Sequence, residues 1–301
     1  MMRAPAFTLW LLGLGIGVPG CHRPAAPASA AMRVITDGIG REVRWPKELH
    51  RIISLAPSST EIVFALGAGA QLVGVDRYSD YPEAARRIER VGAEVDPSLE
   101  RILGLHPDAV FTATSANAQQ TVETLARLGV PVYVSRAASL ADILGDVNGM
   151  AGALDRRIEG ARLIAQLEHR LAAVKARAET QRAMKVLVVV WPEPLVVAGR
   201  ASHVADLVRA AGGVNVADDS AQPFPTYSVE RVLSHAPELV VVGTHSDGPA
   251  PTLQPLLALT TLPAVRNGQI HTVDGDLLFR PGPRVVDGIE RLAKLIDGAR
   301  R

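Results

Sequence analysis

One short phrase occurs twice in this chain. LERILGLHPDAVFT at 99–112 and VERVLSHAPELVVV at 229–242 are 130 positions apart, and each directly follows a serine. Each copy predicts a short helix that ends before a proline, followed by a buried strand. Glu100 matches Glu230, and the two prolines keep the same offset. A chain that repeats one helix–strand step in this way is expected to fold into two similar lobes around a shared cleft.

Two hydrophobic periodicities alternate on either side of each copy. Short runs rich in valine, isoleucine and leucine predict buried strands, and apolar residues three or four positions apart predict amphipathic helices. This alternation favours mainly parallel sheets covered on both faces. We therefore expect an α/β fold of two Rossmann-like lobes. The predicted strands lie at 51–57, 71–76, 108–113, 130–135, 185–191, 238–244 and within 262–274, and the predicted helices at 58–69, 98–106, 120–129, 203–213, 228–236 and 284–301.

The middle of the chain lacks this alternation. From Leu154 to Val174, mostly apolar residues recur at steps of three and four, and no proline occurs after Leu154 until Pro192. The pattern predicts helices over 139–153 and 154–182, the second being one long helix. This helix would brace the lobes, so that they move little on binding. The predicted domains are an N-terminal lobe at 33–150, a rigid backbone helix at 151–183 and a C-terminal lobe at 184–301.

The N-terminal segment predicts export. Arg3 precedes an apolar run and the small residues before Cys21, which is the pattern of a signal peptide at 1–21. The run is shorter than the about 20 apolar residues that span a bilayer. Cys21 resembles the lipidated cysteine of a bacterial lipobox, although Pro19 departs from that pattern; an ordinary cleaved signal is the alternative. We expect a periplasmic or envelope protein, lipid-anchored through a flexible tether at 22–32.

Charge and cysteine content exclude two further features. The 301 residues carry 32 basic and 31 acidic side chains, a net charge of +1, without any block of like charge. A nucleic-acid partner is therefore not expected. Cys21 is the only cysteine, so an intramolecular disulfide is excluded and the hydrophobic core must hold the fold.

The matched residues of the repeat have two explanations. Ser98 and Ser228 stand at helix N-cap positions, and Glu100 and Glu230 fall in the first helical turn. Carboxylates there stabilise a helix by about 0.3–1 kcal/mol through its dipole. In the other explanation, the two lobes present paired acidic side chains to another protein. Spacing alone favours the first explanation.

A metal site and an enzyme active site are alternatives of other classes. The eight histidines are scattered, and His203, His245 and His271 could bind a metal only if the fold brings them together. Ser58 lacks a G-x-S-x-G elbow and an identifiable His/Asp partner, so we interpret it as a helix cap in a capping box with Glu61. We expect no metal, no cofactor and no catalytic residue; the enzyme alternative is an envelope protein that processes tetrapyrroles.

The order of these motifs resembles the solute-binding proteins of bacterial ABC importers, in the group that has a rigid helical backbone and imports cobalamin, iron siderophores or haem. The resemblance rests on 51–82, 99–111, the central helix and AGGVNV at 211–216. YSDYP at 78–82 and FPTYSVERVL at 224–233 are most similar to cobalamin-binding members. It implies that the protein captures cobalamin or a related corrinoid between its lobes and delivers it to the permease; a ferric siderophore or haem is the alternative.

The resemblance also gives the matched glutamates a role. Glu100 and Glu230 match two lobe-surface glutamates of the family, which dock on arginines of the permease subunits. With this knowledge we favour docking and retain the cap role beside it. Exposed ion pairs are individually weak, which suits a contact that must release. The protein is expected to act as a monomer.

Ligand contacts are implied in the same way. Tyr78 matches a tyrosine that lies against the corrin, Phe224 stands where the family has a tryptophan, and Asp276 matches a cleft-lining aspartate. Trp191 ends the first strand of the second lobe, where cleft loops are expected; simple packing is the alternative for Trp191 and Phe224. The predicted ligand-binding residues are Pro57, Ser58, Tyr78, Glu94, Trp191, Phe224, Asp276, Leu277 and Phe279, and the positions that depart from the family's cleft tryptophans are Glu94, Ala113 and Leu277.

Overall fold

The computed structural model describes residues 31–114, 118–244 and 252–300. The predicted signal peptide, Cys21 and most of the predicted tether lie outside these residues. In the described part of the chain, two separate parallel or mainly parallel sheets are combined with helices, which confirms the α/β prediction. No described helix is both long enough and apolar enough to cross a membrane.

The first lobe is built on a four-stranded sheet. Its elements are β1 (Met32–Thr36), β2 (Glu42–Pro46), β3 (Ile52–Ser54), α1 (Pro57–Ala65), β4 (Leu72–Val75), β5 (Gly92–Ala93), β6 (Asp96–Pro97), α2 (Leu99–Gly104), β7 (Ala109–Ala113), α3 (Ala118–Arg127), β8 (Val132–Ser135) and α4 (Leu140–Ala153). The strand order is β4-β3-β7-β8, and every pairing is parallel. β5 and β6 form a separate short hairpin.

An antiparallel hairpin of β1 and β2, which was not predicted from the sequence, precedes this sheet. β1 begins at Met32, the last residue of the predicted tether. Part of the signal is present in the sequence, because polar and apolar residues alternate from Glu42 to Trp45, after an Asp37-Gly38 turn. Trp45 in β2 is fully buried and donates its indole N–H to the Ala153 carbonyl over 3.0 Å, which fastens the hairpin to the end of α4.

The start of α1 differs from the predicted capping box. Ala56 is the N-cap residue, Pro57 is the first helical residue, and no side chain caps the helix. Proline suits this position because its φ is already helical and its missing N–H would have no partner there. The helix therefore begins before Ser58, so the prediction of a Ser58–Glu61 capping box is wrong. Glu61 pairs with Arg284 instead.

One long helix, α5 (Arg157–Ala178), joins the two lobes. It begins after Asp155, whose φ of 56° interrupts the helical backbone between α4 and α5. Leu163 packs against apolar clusters of both lobes, while Leu167 and Leu171 are buried in the core of the second lobe. The helix is therefore part of both cores, which opposes relative movement of the lobes.

The second lobe is built on a mainly parallel sheet. Its elements are β9 (Met184–Pro192), β10 (Leu195–Val197), α6 (His203–Ala210), β11 (Gly213–Asn215), α7 (Val229–His235), β12 (Leu239–Thr244), α8 (Gln254–Leu257), α9 (Pro263–Arg266), β13 (Ile270–Asp274), α10 (Asp276–Phe279) and α11 (Val285–Ala299). The order is β10-β9-β12-β13, with β11 also on β9, and only β10 is antiparallel. Val186 and Val188 face one apolar cluster and Leu187 and Val189 the other, as a strand buried on both faces requires.

Both copies of the repeat fold into the same helix–strand step, α2–β7 and α7–β12, as predicted. The hydroxyls of Ser98 and Ser228 accept hydrogen bonds from the backbone N–H three residues later, at 3.4 and 3.3 Å. His106 and Ala236, at the matched positions after the helices, both have a positive φ of 47°. The duplication therefore extends from the sequence to the backbone.

Candidate functional site

The exposed aromatic residues predicted to bind the ligand lie near the carboxyl ends of strands in both lobes. Tyr78 follows β4, and Trp191 lies near the end of β9. Val196 of β10 pairs with Trp191 and bridges to Thr226, which brings the loop of Phe224 to the same end of the second sheet. Tyr78, Trp191 and Phe224 are 42%, 43% and 42% exposed. Open α/β sheets bind ligands at this edge.

A buried chain of hydrogen bonds holds the loop that carries Tyr78. Asp76 accepts hydrogen bonds from the Tyr78 backbone N–H, at 2.9 Å, and from the Ser79 hydroxyl. The Thr60 hydroxyl lies 2.7 Å from the Ser79 hydroxyl and 2.8 Å from that of Ser54. The chain ties this loop to α1 and β3, so the backbone at Tyr78 is held by the core of the first lobe.

Arg280 of the second lobe joins the lobes through two carboxylates. Its guanidinium lies 2.5 Å from an Asp80 oxygen in the first lobe and 2.9 Å from an Asp276 oxygen in its own lobe. Partial burial would raise the pKa of Asp80, but the hydrogen bond and charge of Arg280 hold it below its usual value. Burial raises the pKa of Asp276.

A second contact between the lobes is almost fully buried. Arg284 donates two hydrogen bonds to the Glu61 carboxylate, at 2.6 and 3.0 Å, and the Glu61 side chain is 2% exposed. Burial raises the pKa of Glu61, although the hydrogen bonds and charge of Arg284 oppose the rise. The Arg284 guanidinium also lies 4.0 Å from the centre of the Tyr81 ring. We call Glu61–Arg284 and Asp80–Arg280–Asp276 the interlobe ion pairs.

Of the residues in these pairs, only Asp276 was predicted as a site residue from the sequence, and Glu61 was predicted only as part of a helix cap. Arg280 and Arg284 flank a Pro-Gly-Pro turn in RPGPR, and Glu61 is a charged residue in an apolar helix. Both features are signals for a buried charge pair, since a charged side chain is almost never fully buried without a partner. Neither feature indicates which residue the partner is.

A cavity of about 580 Å³ lies beside the Glu61–Arg284 pair, between α1, α5 and the start of α11. Apolar side chains line most of it, among them Phe64, Leu163 and Leu167. None of the residues predicted to bind ligand is among those that line it. The exposed aromatic residues, rather than this cavity, therefore define the candidate ligand site.

Glu94 introduces a titratable group into this region. It lies at the tip of the β5–β6 hairpin, directly after Ala93. Burial raises its pKa to about 7, and the negative charge of Asp76 contributes to the rise. At neutral pH the Glu94 carboxyl can therefore donate a hydrogen bond as well as accept one.

Stability is expected to depend on pH through Glu94. The folded protein keeps a proton on this carboxyl between its ordinary pKa of 4.5 and about 7, whereas the unfolded chain releases it. The free energy of unfolding should therefore fall as pH rises from about 4.5 to about 7, by an amount on the order of 3 kcal/mol. Urea unfolding of the protein and of Glu94→Gln at pH 5 and pH 8 measures this, because the variant lacks this contribution.

The control is Glu48→Gln, since the Glu48 side chain is 86% exposed. That variant should keep the pH dependence of the unaltered protein. Equal pH dependence in Glu94→Gln and in the unaltered protein would contradict the assignment.

The remaining predicted residues occupy different surroundings. Pro57 and Ser58 form the first turn of α1, where Ser58 is buried. Phe279 packs against Gly243, where a Cβ would stand 2.1 Å from the ring. Leu277 lines a shallow groove of about 360 Å³ between β13 and α11. Phe279 therefore lies beside the carboxyl end of β12, and Leu277 belongs to the short helix α10 that follows β13.

Glu100 and Glu230 lie in equivalent places on the two lobes. Both are exposed in the first turn of their helices, α2 and α7. Hydrogen bonds from its own backbone N–H and from the Ser228 hydroxyl lower the pKa of Glu230, so its carboxylate is ionised at neutral pH. The structure therefore presents the matched glutamate of each lobe at the surface.

The histidines considered for a metal site do not form one in the described residues. His203 is buried, with Nε2 2.8 Å from the Leu278 carbonyl, and burial lowers its pKa. His271 contacts Gln269, with Nε2 3.1 Å from the amide oxygen. His245 lies outside the described residues. No group of three histidine, cysteine or carboxylate side chains in the described ranges could hold a metal ion.

Comparison with known proteins places this geometry in a family. A family model described as periplasmic binding protein matches residues 52–277. A vitamin B12-binding protein of Vibrio parahaemolyticus is 29% identical over 256 residues, which cover 84% of this chain and 91% of that protein.

Solved structures that share the fold include two ligand-binding proteins. The periplasmic vitamin B12-binding protein BtuF of Vibrio cholerae has a TM-score of 0.73 and 29% identity, over 84% of this chain and 98% of BtuF. The periplasmic heme-binding protein RhuT of Roseiflexus sp. RS-1, in its apo form, has a TM-score of 0.75 and 30% identity, over 84% of this chain and all of RhuT. With two lobes, a long linking helix and a family match that spans both lobes, this chain belongs to the periplasmic binding protein family.

Proposed function

We propose that this protein captures cobalamin or a related corrinoid between its lobes, outside the cytoplasm, and delivers it to the permease of an ABC importer. The observation that carries the proposal is the set of three exposed aromatic side chains at the carboxyl edge of the two sheets: Tyr78, Trp191 and Phe224. Aromatic faces bury a large flat ligand and lose little side-chain entropy. The similarity to two vitamin B12-binding proteins supports the choice of ligand.

Haem is the second candidate ligand. The similarity to RhuT, a heme-binding protein, favours it directly. Both candidates are flat macrocycles, so exposed aromatic residues suit either. A ferric hydroxamate siderophore is the third, since one structure from a Fe³⁺-hydroxamate transport system is 25% identical to this chain.

The proposal is tested by calorimetric titration of the protein without its predicted signal peptide. The ligands are cyanocobalamin, haemin and a ferric hydroxamate. We expect saturable heat with cyanocobalamin, and red colour that stays with the protein through gel filtration. If only haemin or only the siderophore gave saturable heat, that compound would be the ligand in place of cobalamin, and the proposed transport role would stand. Absence of binding to all three would contradict the proposed function.

We propose that Glu100 and Glu230 are the permease contacts. Changing both to arginine should lower ligand uptake by cells about tenfold or more, because the new arginines would face the arginines of the permease and repel them. Ligand affinity should not change, since neither glutamate is one of the proposed ligand contacts. Uptake of radiolabelled ligand by cells that carry each variant is the measurement.

The matched control for docking is Glu168→Arg, a charge reversal at an exposed residue of α5. It should leave uptake unchanged. Full uptake in the Glu100→Arg/Glu230→Arg variant would exclude these residues as the contact.

The membrane anchor is proposed to be a lipid on Cys21, in the N-terminal segment outside the described residues. Cys21→Ser should move the protein from the membrane fraction of cells to the soluble fraction. Incorporation of radiolabelled palmitate into the unaltered protein alone would identify the lipid. Palmitate in both proteins would contradict the proposal.

A further inference from the structure

The duplication extends beyond the repeated phrase to one more pair of charged residues. Glu89 and Asp219, like Arg101 and Arg231, are matched at the offset of 130 residues. In the first lobe, an Arg101 guanidinium nitrogen lies 3.9 Å from a Glu89 oxygen. In the second lobe, the corresponding distance between Arg231 and Asp219 is 2.5 Å. Each lobe therefore holds the same arginine–carboxylate pair, directly beside the exposed glutamate.

In the second lobe, further side chains contact the arginine–carboxylate pair. Arg231 lies 4.3 Å from the centre of the Tyr227 ring. Asp219 also accepts hydrogen bonds from the Tyr227 hydroxyl and from His235, whose Nε2 is 3.1 Å away. Slight burial would raise the pKa of Asp219, but hydrogen bonds from Tyr227, Arg231 and His235 lower it to about 2. Asp219 is therefore a permanent negative charge that fixes Arg231.

The position of this arginine matters for the charge of the surface. Arg231 directly follows Glu230 in α7, and Arg101 directly follows Glu100 in α2. Among the residues described by the structure, neither glutamate has an arginine, lysine or histidine nitrogen within 4.0 Å, because each arginine pairs with the other carboxylate. Glutamate, arginine and second carboxylate sum to one negative charge per lobe. Without the second carboxylate, that sum would be zero.

We propose that Asp219 and Glu89 are counter-charge residues of the docking surface: they neutralise and hold Arg231 and Arg101, so that Glu230 and Glu100 present a net negative charge to a cationic partner surface. The inference rests on the proposed docking role of the two glutamates. Charges near a contact act mainly on the association rate and its salt dependence. Because Asp219 lies closer to its arginine than Glu89 does, its effect is the larger of the two.

The decisive variants are Asp219→Asn and the double variant Asp219→Asn/Arg231→Gln. The single variant leaves Arg231 uncompensated, whereas the double variant restores one net negative charge. If Asp219 served only the local fold, the double variant would be at least as impaired as the single one. Asp218→Asn is the control, because it removes the same charge one position away, where the carboxylate pairs with Arg209.

Association with the ABC permease and its ATPase subunits from the same cell, held in lipid nanodiscs, is measured by interferometry at low salt. Asp219→Asn should associate about fivefold more slowly, and the double variant should return to within about twofold of the unaltered protein. Glu89→Gln should have a smaller effect, and Asp218→Asn none. Equal rates for the single variant and the unaltered protein, or a double variant slower than the single one, would overturn the proposal.

A second readout does not depend on the permease. Titration of the Glu230 carboxyl carbon by NMR, assigned with Glu230→Gln, should show a lower Glu230 pKa in Asp219→Asn and a return towards the original value in the double variant. Hydrogen bonds from its own backbone N–H and from the Ser228 hydroxyl already lower the pKa of Glu230, so the readout is the difference among the three proteins. If the unaltered protein does not associate with the permease, the proposed docking role is wrong. If the Glu230 pKa is the same in the unaltered protein, Asp219→Asn and the double variant, the counter-charge role is wrong, whatever the docking result.

Discussion

Replacing Arg284 with alanine is expected to lower the free energy of unfolding by about 3–5 kcal/mol, because it leaves a buried carboxylate without its counter-charge. The Glu61 side chain is 2% exposed, and Arg284 supplies two hydrogen bonds to it as well as the charge. Stacking of Arg284 on Tyr81 is lost as well. For a chain of this size the melting temperature should fall by roughly 10 °C. Urea and thermal unfolding measure both quantities.

Two further variants identify the cause of this loss. Arg209→Ala removes a partly exposed arginine that pairs with Asp206 and Asp218, and it should cost less than about 1 kcal/mol. Glu61→Leu/Arg284→Met removes both charges and should recover most of the stability, because the desolvation penalty disappears with them. The deficit of Arg284→Ala should also be smaller at pH 5 than at pH 8, since protonation discharges the unpaired Glu61. A loss below about 1 kcal/mol for Arg284→Ala would contradict the buried character of the pair.

Replacing Tyr78 and Trp191 together with alanine is expected to weaken cobalamin binding by about 100-fold. Each exposed ring should contribute about 1–2 kcal/mol to a flat ligand, and each 1.4 kcal/mol corresponds to a factor of ten in affinity. The two rings belong to different lobes and should act independently. Each single variant should therefore lose about half of the binding free energy that the double variant loses. Calorimetric titration of both single variants and the double variant with cyanocobalamin is the measurement.

The conservative variants Tyr78→Phe and Trp191→Phe keep an aromatic ring and should retain most of the affinity. Val214→Ala is the matched control, because Val214 is 48% exposed but pairs with the opposite end of β9, at Lys185. It should bind as the unaltered protein does. If the double alanine variant bound cyanocobalamin equally well, the aromatic residues would not be the ligand site.

Local patterns predicted most of the secondary structure. The strands β7 and β12 and the serine caps at Ser98 and Ser228 depend on neighbouring residues, whose periodicity and hydrogen bonds are visible in a short stretch of sequence. The predicted capping box failed because Pro57 competes for the first helical position. The β1–β2 hairpin was missed because only β2 and the turn have a clear signal: Val34 and Ile35 break the alternation of β1.

The candidate site was predicted less completely than the fold. Resemblance to a family suggested Tyr78 and Phe224, and the end of a predicted strand suggested Trp191. The structure brings the segments of Trp191 and Phe224 together through β10. The hydrogen-bond chain from Asp76 and the burial of Glu94 had no sequence signal, because both depend on how the loops after the strands pack.

By itself, the amino-acid sequence determined that this protein has two similar lobes, a long helix between them and a matched glutamate in the first helical turn of the repeat on each lobe, since short-range periodicity and a repeat encode these features. Only the tertiary structure decided how the lobes are held together. The partners Arg280 and Asp80 are 200 residues apart, and Arg284 and Glu61 are 223 apart. Nothing in the local sequence of either residue specifies its partner, because such a pair forms only after both lobes have folded and their loops meet.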